Sequence, residues 1–392
     1  MDLIGVSIVG ASMRSILMFE YLQKYPEQGF VAGIYDIIPD RGKYLAKKYG
    51  APKAIIYKSL DQVVLDPNVD AVFIGTPDCE HVKPALAALQ ADKNVYCEKP
   101  IATSLNECDE IIAVAKNSSK VFYLGMNLRH VPVYQKIYEI VKNGLLGKLL
   151  TIEANEYYYG GRSYFRRWNR FCRYSGGLWI TKACHDFDIL NWIAGSKAKR
   201  VFAASSLSHY KPIHNAGINC RSCPIKLSCP DFYDIKAPED VVVDRLAELT
   251  EQTTGELRDL CLYNSDKDTF DNGIAMVEYE NDVRATYTVN VVSARDTRQM
   301  RLMGTDGFAE SDLEEGIVRV WKRHSKEKIV YDLKQKMDLG HYGGDDKVLT
   351  DFFRCCRNGD KPLSSWRDGR LSLEAGLAAR KSCETGRAVE LA

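Results

Sequence analysis

The fold is decided by the stretch Leu3-Ile4-Gly5-Val6-Ser7-Ile8-Val9-Gly10-Ala11-Ser12-Met13-Arg14-Ser15 and by the two elements after it. Its apolar first half is typical of a short buried strand, its second half predicts a tight turn, and the apolar residues over 16–22 predict a helix. A second strand, over 30–35, ends in Asp36, about twenty residues beyond the turn. Because a carboxylate at that point can accept hydrogen bonds from both hydroxyls of a ribose, the stretch predicts a dinucleotide-binding unit.

The turn after the first strand departs from the G-x-G-x-x-G pattern of such units. Gly10 is present, but Ser12 and Ser15 stand where the second and third glycines would be. Serine is small enough to keep the helix close to the strand, and its hydroxyl can serve a phosphate at the helix N-terminus. An ordinary strand-to-helix turn is the alternative interpretation of this motif. The cofactor-binding residues predicted from this unit are Gly10, Ser12, Met13, Arg14 and Asp36.

Strands and helices then alternate along the first third of the chain. Further strands are predicted over 54–57, 71–75, 95–97 and 121–125, with helices over 60–65, 84–89 and 105–115 between them. This alternation predicts an α/β fold with a doubly wound parallel sheet that binds its ligand at the carboxyl ends of the strands. We assign residues 1–126 to this Rossmann domain. The polar residues that fall at the strand ends are Asp36, Thr76, Glu98, Lys99 and Asn127.

From residue 149 the sequence becomes rich in alternating β-type segments. These segments cover 149–159, 201–206, 273–280, 283–292 and 299–303, and a last helix is predicted over 371–384. They predict a second α/β domain, residues 127–392, with a large, open and mainly antiparallel sheet. An insertion at about 209–260 resists assignment.

Composition excludes several classes of protein. The 392 residues are 45% hydrophobic and 27% charged, which is typical of a soluble protein of two or three domains. A net charge of +1 gives no general attraction for nucleic acid or an anionic membrane, and no apolar run approaches the ~18 residues that span a bilayer. We therefore expect neither nucleic acid nor membrane as a partner. The first strand lacks the basic start and length of a leader, and most of the twelve cysteines are scattered, so a reducing cytoplasm is the expected location.

Glu98-Lys99-Pro100 comes directly after the apolar run over 94–97. A lysine at the end of this strand can meet both a nicotinamide ring and a sugar hydroxyl. The alternative is an ordinary turn, since a Lys-Pro pair is common turn chemistry. Lys99 is the first catalytic residue that we predict.

A second group of reactive side chains lies between Gly176 and Asp188. If a helix starts just after Gly177, then Lys182, His185 and Asp186 lie three and four residues apart and share one face. Alcohol oxidation needs such a group, because the hydroxyl proton must leave as the hydride departs. Two nearby lysines, at 99 and 182, would lower each other's pKa and make one of them a base.

Other roles remain open for the same residues. A histidine on such a helix is often a hydrogen-bonding core residue, and Asp186 and Asp188 can cap the helix, pair with arginines or orient the imidazole. Lys182 and His185 are nevertheless our second and third catalytic candidates.

The order of motifs resembles one known family over nearly the whole chain. The matching segments are Ile8-Val9-Gly10, Asp36, Gly75-Thr76-Pro77, His81, Cys97-Glu98-Lys99-Pro100, Gly125-Met126-Asn127-Leu128-Arg129, Gly144-Leu145-Leu146-Gly147, Gly176-Gly177 and His185-Asp186-Phe187-Asp188. Together they are similar to the glucose-fructose oxidoreductase, inositol dehydrogenase and MocA family. Many members carry an aspartate four residues before the histidine, but Thr181 stands there in this chain. Lys182 is our candidate replacement for that aspartate.

The resemblance implies a Rossmann domain, a C-terminal domain whose large sheet is often used for oligomer contacts, and hydride exchange with a carbohydrate or polyol. We therefore expect NAD as the cofactor, with NADP less favoured, and a homodimer or homotetramer formed through the C-terminal sheet. The resemblance adds Thr76, Pro77, His81, Glu98, Lys99 and Asn127 to the expected cofactor-binding residues.

Residues 157–173 combine five arginines with aromatic rings. Rings stack on sugar C–H faces, and guanidinium groups bind hydroxyls, carboxylates or phosphates. This segment favours an acidic or phosphorylated sugar, unless it is a solvated loop with aromatic packing. The predicted substrate-binding residues are Arg129, Tyr158, Arg162, Arg167, Trp168, Asp186 and His341.

A cysteine group lies in and after the insertion. Cys220, Cys223 and Cys229 form a C-x2-C-x5-C pattern, and Cys261 comes later. Four thiolates can hold a structural zinc ion or, less favoured, an iron-sulfur cluster. Free thiols, a disulfide, and His209 or His214 as a ligand are the alternatives.

The sequence thus predicts an NAD-dependent sugar or polyol dehydrogenase or reductase. One alternative is a glycoside hydrolase or lyase that uses NAD transiently, through a keto-sugar, without net redox change. Another is a nucleotide-binding sensor or assembly protein without turnover, which the altered glycine pattern favours.

Overall fold

The computed structural model describes residues 3–337 and 340–391, apart from the side chain of Arg162. Its first sheet has six parallel strands in the order β3-β2-β1-β4-β5-β6. This is the strand order of a dinucleotide-binding Rossmann domain. The strands are β1 (Ile4–Val9), β2 (Gly29–Tyr35), β3 (Ile55–Ile56), β4 (Ala71–Ile74), β5 (Asn94–Cys97) and β6 (Phe122–Leu124).

Helices connect these strands and cover both faces of the sheet. The connecting helices are α1 (Ile16–Lys24), α2 (Pro39–Lys48), α3 (Leu60–Leu65), α4 (Val82–Gln90) and α5 (Leu105–Ala115), whereas α6 (Pro132–Lys142) follows β6 and packs into the core of the second sheet. The central strands β1 and β4 are buried over their whole length, which explains their unbroken apolar sequences. The predicted parallel sheet is confirmed.

The second sheet has nine strands in the order β14-β13-β12-β11-β7-β10-β9-β8-β15. Only the β7–β10 pair is parallel, and the other pairs are antiparallel. The predicted large, mainly antiparallel sheet is therefore confirmed, although strands over 307–332 were not predicted. The strands are β7 (Leu149–Tyr157), β8 (Ala198–Ser206), β9 (Asn272–Tyr279), β10 (Arg284–Asn290), β11 (Thr297–Gly304), β12 (Gly307–Asp312), β13 (Ile317–Lys322), β14 (Lys328–Asp332) and β15 (Val389–Glu390).

Seven further helices follow β7 among the described residues. They are α7 (Gly161–Arg166), α8 (Cys172–Ser175), α9 (Leu178–Thr181), α10 (Cys184–Ala194), α11 (Val241–Thr254), α12 (Gly340–Asn358) and α13 (Trp366–Thr385). The single helix that we expected after Gly177 is wrong, because α9 ends at Thr181 and α10 begins at Cys184. Lys182 lies in the break between them.

The two C-terminal helices join the sheets. Val348 and Phe352 of α12 share a hydrophobic core with Val6 and Phe73 of the first sheet. In α13, Gly369 approaches Leu124 so closely that a Cβ atom would lie 2.6 Å from its Cδ2. Both contacts join the second domain to the parallel sheet.

None of the helices within residues 3–337 and 340–391 is long and apolar enough to cross a bilayer.

Candidate functional site

Lys99 bridges the two domains at the end of β5. Its Nζ donates a 2.6 Å hydrogen bond to the main-chain oxygen of Thr181, the last residue of α9. Thr181 lies four residues before His185 in the sequence. The amine from the Rossmann domain is thereby fixed beside the helix that carries the histidine.

His185 is a buried and neutral imidazole. Burial is the largest cause that lowers its pKa well below the usual value, and the positive charges of Lys99 and Arg298 lower the pKa further. Its Nδ1 atom has no hydrogen-bond partner among the described residues. A neutral ring with an open nitrogen can accept or donate a hydrogen bond to a bound substrate.

Lys182 is held as a cation by Glu156. Its Nζ lies 2.8 Å from Oε1 of Glu156 and 3.9 Å from the ring centre of Tyr158. Burial alone would lower the pKa of Lys182, but the charge of Glu156 outweighs it and the pKa is raised. The expectation that the pKa of Lys182 is lowered by Lys99 is therefore wrong, because a carboxylate at hydrogen-bond distance acts more strongly than a more distant amine.

Asp186 does not converge with Lys182 on one helix face. Its Oδ1 accepts from Nε of Arg298 at 2.8 Å and its Oδ2 accepts from the hydroxyl of Tyr287 at 2.9 Å. Arg298 also pairs with Glu156, so both carboxylates belong to one buried ionic network. Both carboxylate oxygens of Asp186 thus accept hydrogen bonds from the protein, and its predicted contact with substrate stays a prediction.

Asp78 is a buried carboxyl group that the sequence analysis did not select. It lies just after Thr76-Pro77 at the end of β4, and its residue is only 5% exposed. Its Oδ2 has no hydrogen-bond partner in the described part of the chain. Burial raises its pKa to about 7, against the charge of Lys99 and the hydroxyl of Thr181. Asp78 follows a predicted parallel strand, and this position could have marked it as a site residue from the sequence alone.

Gly10 allows the turn after β1 to approach the turn after β4. Its φ angle is +91°, and a Cβ atom would lie 2.7 Å from the amide nitrogen of Thr76. The buried hydroxyl of Ser12 has no partner among the described groups, whereas Ser15 accepts from the amide of Ser12 at 3.0 Å. A turn that only glycine can form, here called the cradle at Gly10, together with an unpartnered hydroxyl fits a dinucleotide phosphate. Met13, in the same turn, is 47% exposed.

Asp36 ends β2 as a buried carboxylate. Its Oδ2 accepts from the amide of Ala11 at 2.7 Å, and its Oδ1 accepts from the amide of Ile38 at 2.8 Å. Burial raises its pKa, although Arg41, 4.0 Å away, opposes this. The carboxylate thus lies next to the turn that would hold the phosphates.

Asp345 gathers several of the predicted cofactor residues around one carboxylate. It accepts from Nδ2 of Asn127 at 2.7 Å, from Arg14 at 3.4 Å and from Nδ1 of His341 at 2.6 Å. Arg14 also pairs with Glu98 at 3.0 Å. His341 was predicted from the sequence as a site residue, but Asp345 was not, because its contacts depend on how α12 packs.

His81 contacts main-chain carbonyl groups. Its Nδ1 lies 2.7 Å from the oxygen of Pro100 and its Nε2 lies 3.1 Å from the oxygen of Thr76. The hydroxyl of Thr76 in turn donates to the oxygen of Glu80. His81 therefore braces the turns that carry Thr76-Pro77 and Lys99.

The predicted substrate-binding residues divide into buried and site-facing ones. Arg129 is 5% exposed and binds Asp188 through two hydrogen bonds of 2.8 and 2.7 Å, so it stabilises the fold around α10. The ring of Tyr158 contacts Nζ of Lys182. Trp168 starts a short 3-10 turn over residues 168–170. The side chain of Arg162 lies outside the described part of the structure.

The cysteines of the insertion are free thiols. Cys220, Cys223, Cys229 and Cys261 line one small apolar cavity. In the described ranges, however, no group of three or more histidine, cysteine, aspartate or glutamate side chains is arranged to hold a metal ion. The predicted zinc or iron-sulfur site is therefore not supported.

Buried carboxylates hold the insertion in place. Asp271 accepts from the amides of Ser208, His209 and Tyr210, and Asp259 pairs with Arg221 at 2.7 Å. These contacts connect the insertion to residue 271, just before β9, and join residues 221 and 259 to each other.

Comparison with known proteins agrees with this geometry. A sequence model of an oxidoreductase family with an NAD-binding Rossmann fold, GFO_IDH_MocA, matches residues 4–126, and the model of its C-terminal alpha/beta domain matches residues 138–391. A myo-inositol 2-dehydrogenase from Thermotoga maritima is 26% identical over 98% of this chain and 98% of that protein. A 2,7-anhydro-N-acetylneuraminate hydratase from Escherichia coli is 24% identical over 53% of each chain.

A solved structure shows the same fold over the whole length. Levoglucosan dehydrogenase in complex with NADH and levoglucosan superposes with a TM-score of 0.78 at 16% identity, covering 99% of both chains. The family models match almost all of the chain, and the resemblance inferred from the motifs is confirmed. The chain belongs to the GFO_IDH_MocA family of oxidoreductases, with an NAD-binding Rossmann domain and an alpha/beta C-terminal domain.

Proposed function

We propose that this protein is an NAD-dependent oxidoreductase that exchanges a hydride with a hydroxyl-bearing or keto carbon of a sugar, a polyol or a sugar derivative. The observation that carries the proposal is the hydrogen bond from Lys99 to the oxygen of Thr181, which brings an amine from the nucleotide-binding domain beside His185. The similarity to a myo-inositol dehydrogenase over the full chain supports the substrate class.

In the proposed reaction, Lys99 and His185 hold the reacting oxygen. Alcohol oxidation releases the hydroxyl proton, which a positioned side chain must accept. His185 is neutral and has an open Nδ1, while Lys182 stays charged beside Glu156 and fixes the ring of Tyr158. Lys182 thus orients the site, and the proton passes to Lys99 or His185.

The residues present fit a bound NAD. The cradle at Gly10 and the open hydroxyl of Ser12 suit its phosphates, and Asp36 suits an unphosphorylated ribose, which favours NAD over NADP. When bound, NAD supplies the carbon that accepts the hydride. Thr76, Glu98 and Asn127 would line the nicotinamide half.

The test is a dehydrogenase screen with NAD and NADP over polyols, aldoses, uronic acids and anhydrosugars, followed by absorbance of the reduced cofactor. We expect turnover with NAD and at least one sugar. Lys99→Ala should lower turnover roughly a hundredfold or more, while NADH fluorescence titration still gives a similar Kd. Lys83→Ala, which removes an exposed lysine of α4, is the matched control and should change neither quantity.

The outcomes separate the alternatives. Unchanged turnover of Lys99→Ala would reject the role of Lys99. If NADH binds but no sugar in the panel changes its absorbance, the dehydrogenase activity is rejected. If NMR then also shows every sugar unaltered, the sensor or assembly function takes its place.

Redox-neutral chemistry is the second candidate, because a hydratase is among the similar proteins. An enzyme of that kind would convert a glycoside or anhydrosugar without net formation of NADH. Product analysis by NMR in the same screen distinguishes it: altered sugar with constant NADH supports this candidate.

We further propose that the protein forms a homodimer or homotetramer through the outer face of its nine-stranded sheet. Phe202, Ile274 and Met276 are 40%, 59% and 53% exposed on this face. Phe202 lies directly opposite Met276 across β8 and β9. A contiguous apolar patch on a sheet is typical of a surface covered by another subunit.

A further inference from the structure

Three histidines of the candidate site differ in their access to water. His81 is fully buried, and both of its ring nitrogens lie within hydrogen-bond distance of main-chain oxygens. His185 is buried in α10, whereas the side chain of His341 is 52% exposed. Of these three rings, that of His341 is therefore the one that can exchange a proton with bulk water.

The hydrogen bond between His341 and Asp345 decides which ring nitrogen carries the hydrogen. Nδ1 of His341 lies 2.6 Å from Oδ2 of Asp345. Burial opposes ionisation of Asp345, but the hydrogen bond from His341 and the charge of Arg14 outweigh it and lower the pKa of the carboxyl group. An ionised carboxylate can only accept, so Nδ1 must donate, and in the neutral ring the free lone pair is on Nε2. Nε2 makes no hydrogen bond to any residue within 3–337 and 340–391.

The same carboxylate fixes His341 beside the predicted cofactor-binding residues. Asp345 also accepts from Arg14 at 3.4 Å, and Arg14 pairs with Glu98 at 3.0 Å. Glu98 directly precedes Lys99 at the end of β5. A series of side-chain contacts thus leads from the ring of His341 to the strand end that carries Lys99.

The backbone around His341 is strained and is held from two sides. His341 and Tyr342 have φ angles of +44° and +56°, which residues other than glycine rarely adopt. Gly344 approaches Asn127 so closely that a Cβ atom would lie 2.7 Å from its main-chain oxygen. On the other side, the hydroxyl of Tyr342 donates to the oxygen of Asp296 at 2.9 Å. Strain of this kind persists where surrounding contacts impose it, and it is concentrated at functional sites.

Oxidation of an alcohol in this site releases a proton that must reach water. His185 does not keep this proton, because burial and the positive charge of Lys99 hold the pKa of its ring well below the usual value. Nζ of Lys99 is bound to the main-chain oxygen of Thr181 at the contact between the two domains. The group that takes the proton onward must be basic and exposed to water, and Nε2 of His341 meets both conditions.

We infer that His341 is a proton shuttle, which carries the proton of the reaction between the site and bulk water through Nε2. The inference rests on the proposed function, since a site that oxidises no alcohol and reduces no carbonyl group needs no such shuttle. On oxidation, the C–H bond breaks and its hydrogen leaves with the electron pair as hydride to the nicotinamide. The O–H bond gives its proton to Lys99 or His185, and this proton passes through intervening water to Nε2 of His341. The imidazolium, which the carboxylate of Asp345 stabilises, then returns the proton to bulk water.

The test measures kcat in weakly buffered solution, with a sugar that is active in the dehydrogenase screen. His341→Ala should lower kcat roughly a hundredfold and leave KM and the Kd of NADH unchanged, because proton transfer and not binding is impaired. Added imidazole should restore the kcat of His341→Ala towards the wild-type value and leave wild type unchanged, since it can enter the space of an exposed side chain. A residue that only held the turn in place would show no such recovery.

His341→Gln separates the shuttle from the hydrogen bond to Asp345, because an amide can donate to the carboxylate but cannot carry the proton. Its kcat should be as low as that of His341→Ala, although its urea unfolding should match that of wild type. His324→Ala, which removes an exposed histidine between β13 and β14, is the matched control. It should keep the wild-type kcat with and without imidazole.

NMR of the cofactor-free protein with isotope-labelled histidine is independent of turnover. The neutral ring of His341, assigned by the loss of its signal in His341→Gln, should carry its hydrogen on Nδ1. A wild-type kcat in His341→Gln, no recovery of His341→Ala with imidazole, or a neutral ring protonated on Nε2 would overturn the inference and leave the proposed function in place. Absence of turnover by wild type with every sugar would instead reject the proposed function and the shuttle together.

Discussion

At the scale of single residues, partners decide which ionisable group is charged. Lys182 and Asp78 are both buried ionisable groups, yet burial decides the direction of the pKa shift only for Asp78. Lys182 has Glu156 at 2.8 Å, so its ammonium is stabilised. Asp78 has an open Oδ2 and no cation at hydrogen-bond distance among the described residues, so its carboxylate form is disfavoured.

The first prediction concerns Asp78. Its pKa in the folded state, about 7, lies above its ordinary value of 3.8, so its contribution to stability is present below about pH 4 and is lost as the pH rises through 7. At pH 8, Asp78→Asn should therefore be more stable than wild type. The gain in the free energy of unfolding, measured by urea denaturation, should be roughly 4 kcal/mol at most and should shrink towards pH 4.

The control for Asp78→Asn is Glu80→Gln, an exposed carboxylate of the same turn. Its stability should track that of wild type at every pH. An Asp78→Asn variant that is less stable than wild type at pH 8 would contradict the prediction.

At the scale of elements, two irregular segments place the site residues. The break between α9 and α10 turns Lys182 towards β7 and frees the oxygen of Thr181 for Lys99. At the start of α12, residues 341–343 have left-handed φ angles, and the regular helix begins after them. Beyond this turn, Asp345 accepts hydrogen bonds from Arg14 and Asn127, and His341 of the turn contacts the same carboxylate.

The second prediction concerns that turn. Asp345→Asn removes a carboxylate that holds Arg14, Asn127 and His341 together, and we expect a loss of roughly 2–4 kcal/mol in urea unfolding. Amides over 341–346 should exchange with deuterium faster than in wild type. The hydrogen bond from His341 and the charge of Arg14 lower the pKa of Asp345 despite its burial, so the loss should diminish as the pH falls below about 4.

Asp346→Asn serves as its control, because Asp346 pairs with Lys24 where water screens both charges. It should cost less than about 1 kcal/mol. Equal losses in the two variants would show that Asp345 has no special part in fixing the turn.

In the molecule as a whole, the last two long helices, which follow the second sheet in sequence, pack against the first domain. Leu349 and Phe353 of α12 complete the core on one side of the parallel sheet, and Leu373 of α13 enters the core on the other. These two helices therefore tie the two domains together through both cores. The outer face of the large sheet is left uncovered.

The third prediction concerns this outer face. Ile274→Glu combined with Met276→Glu adds two charges to the apolar patch, because alternate residues of β9 point to the same side. Sedimentation velocity should show a homodimer or homotetramer for wild type and a monomer for the double variant. Leu227→Glu, which changes a 96% exposed leucine of the insertion, should leave the assembly intact. A monomeric wild type would contradict the proposed oligomer.

The strands of the first sheet and the turns between them could be predicted from the sequence. The apolar runs of β1, β4 and β5, the turn at Gly10 and the position of Lys99 could be read from it, because burial on both faces of a parallel sheet leaves a continuous local pattern. The family could be inferred from motifs in a fixed order.

The hydrogen-bond and ion-pair partners of the ionisable side chains became known only from the folded structure. Glu156 from β7, Asp345 from α12 and Asp78 from the end of β4 meet residues that are distant in the chain, and no local pattern reports such contacts. Glu156 shares the inward face of β7 with Ile152, which was its one sequence signal. The pKa of Lys182 depends on burial and on the charge of Glu156, and this environment exists only once the chain has folded.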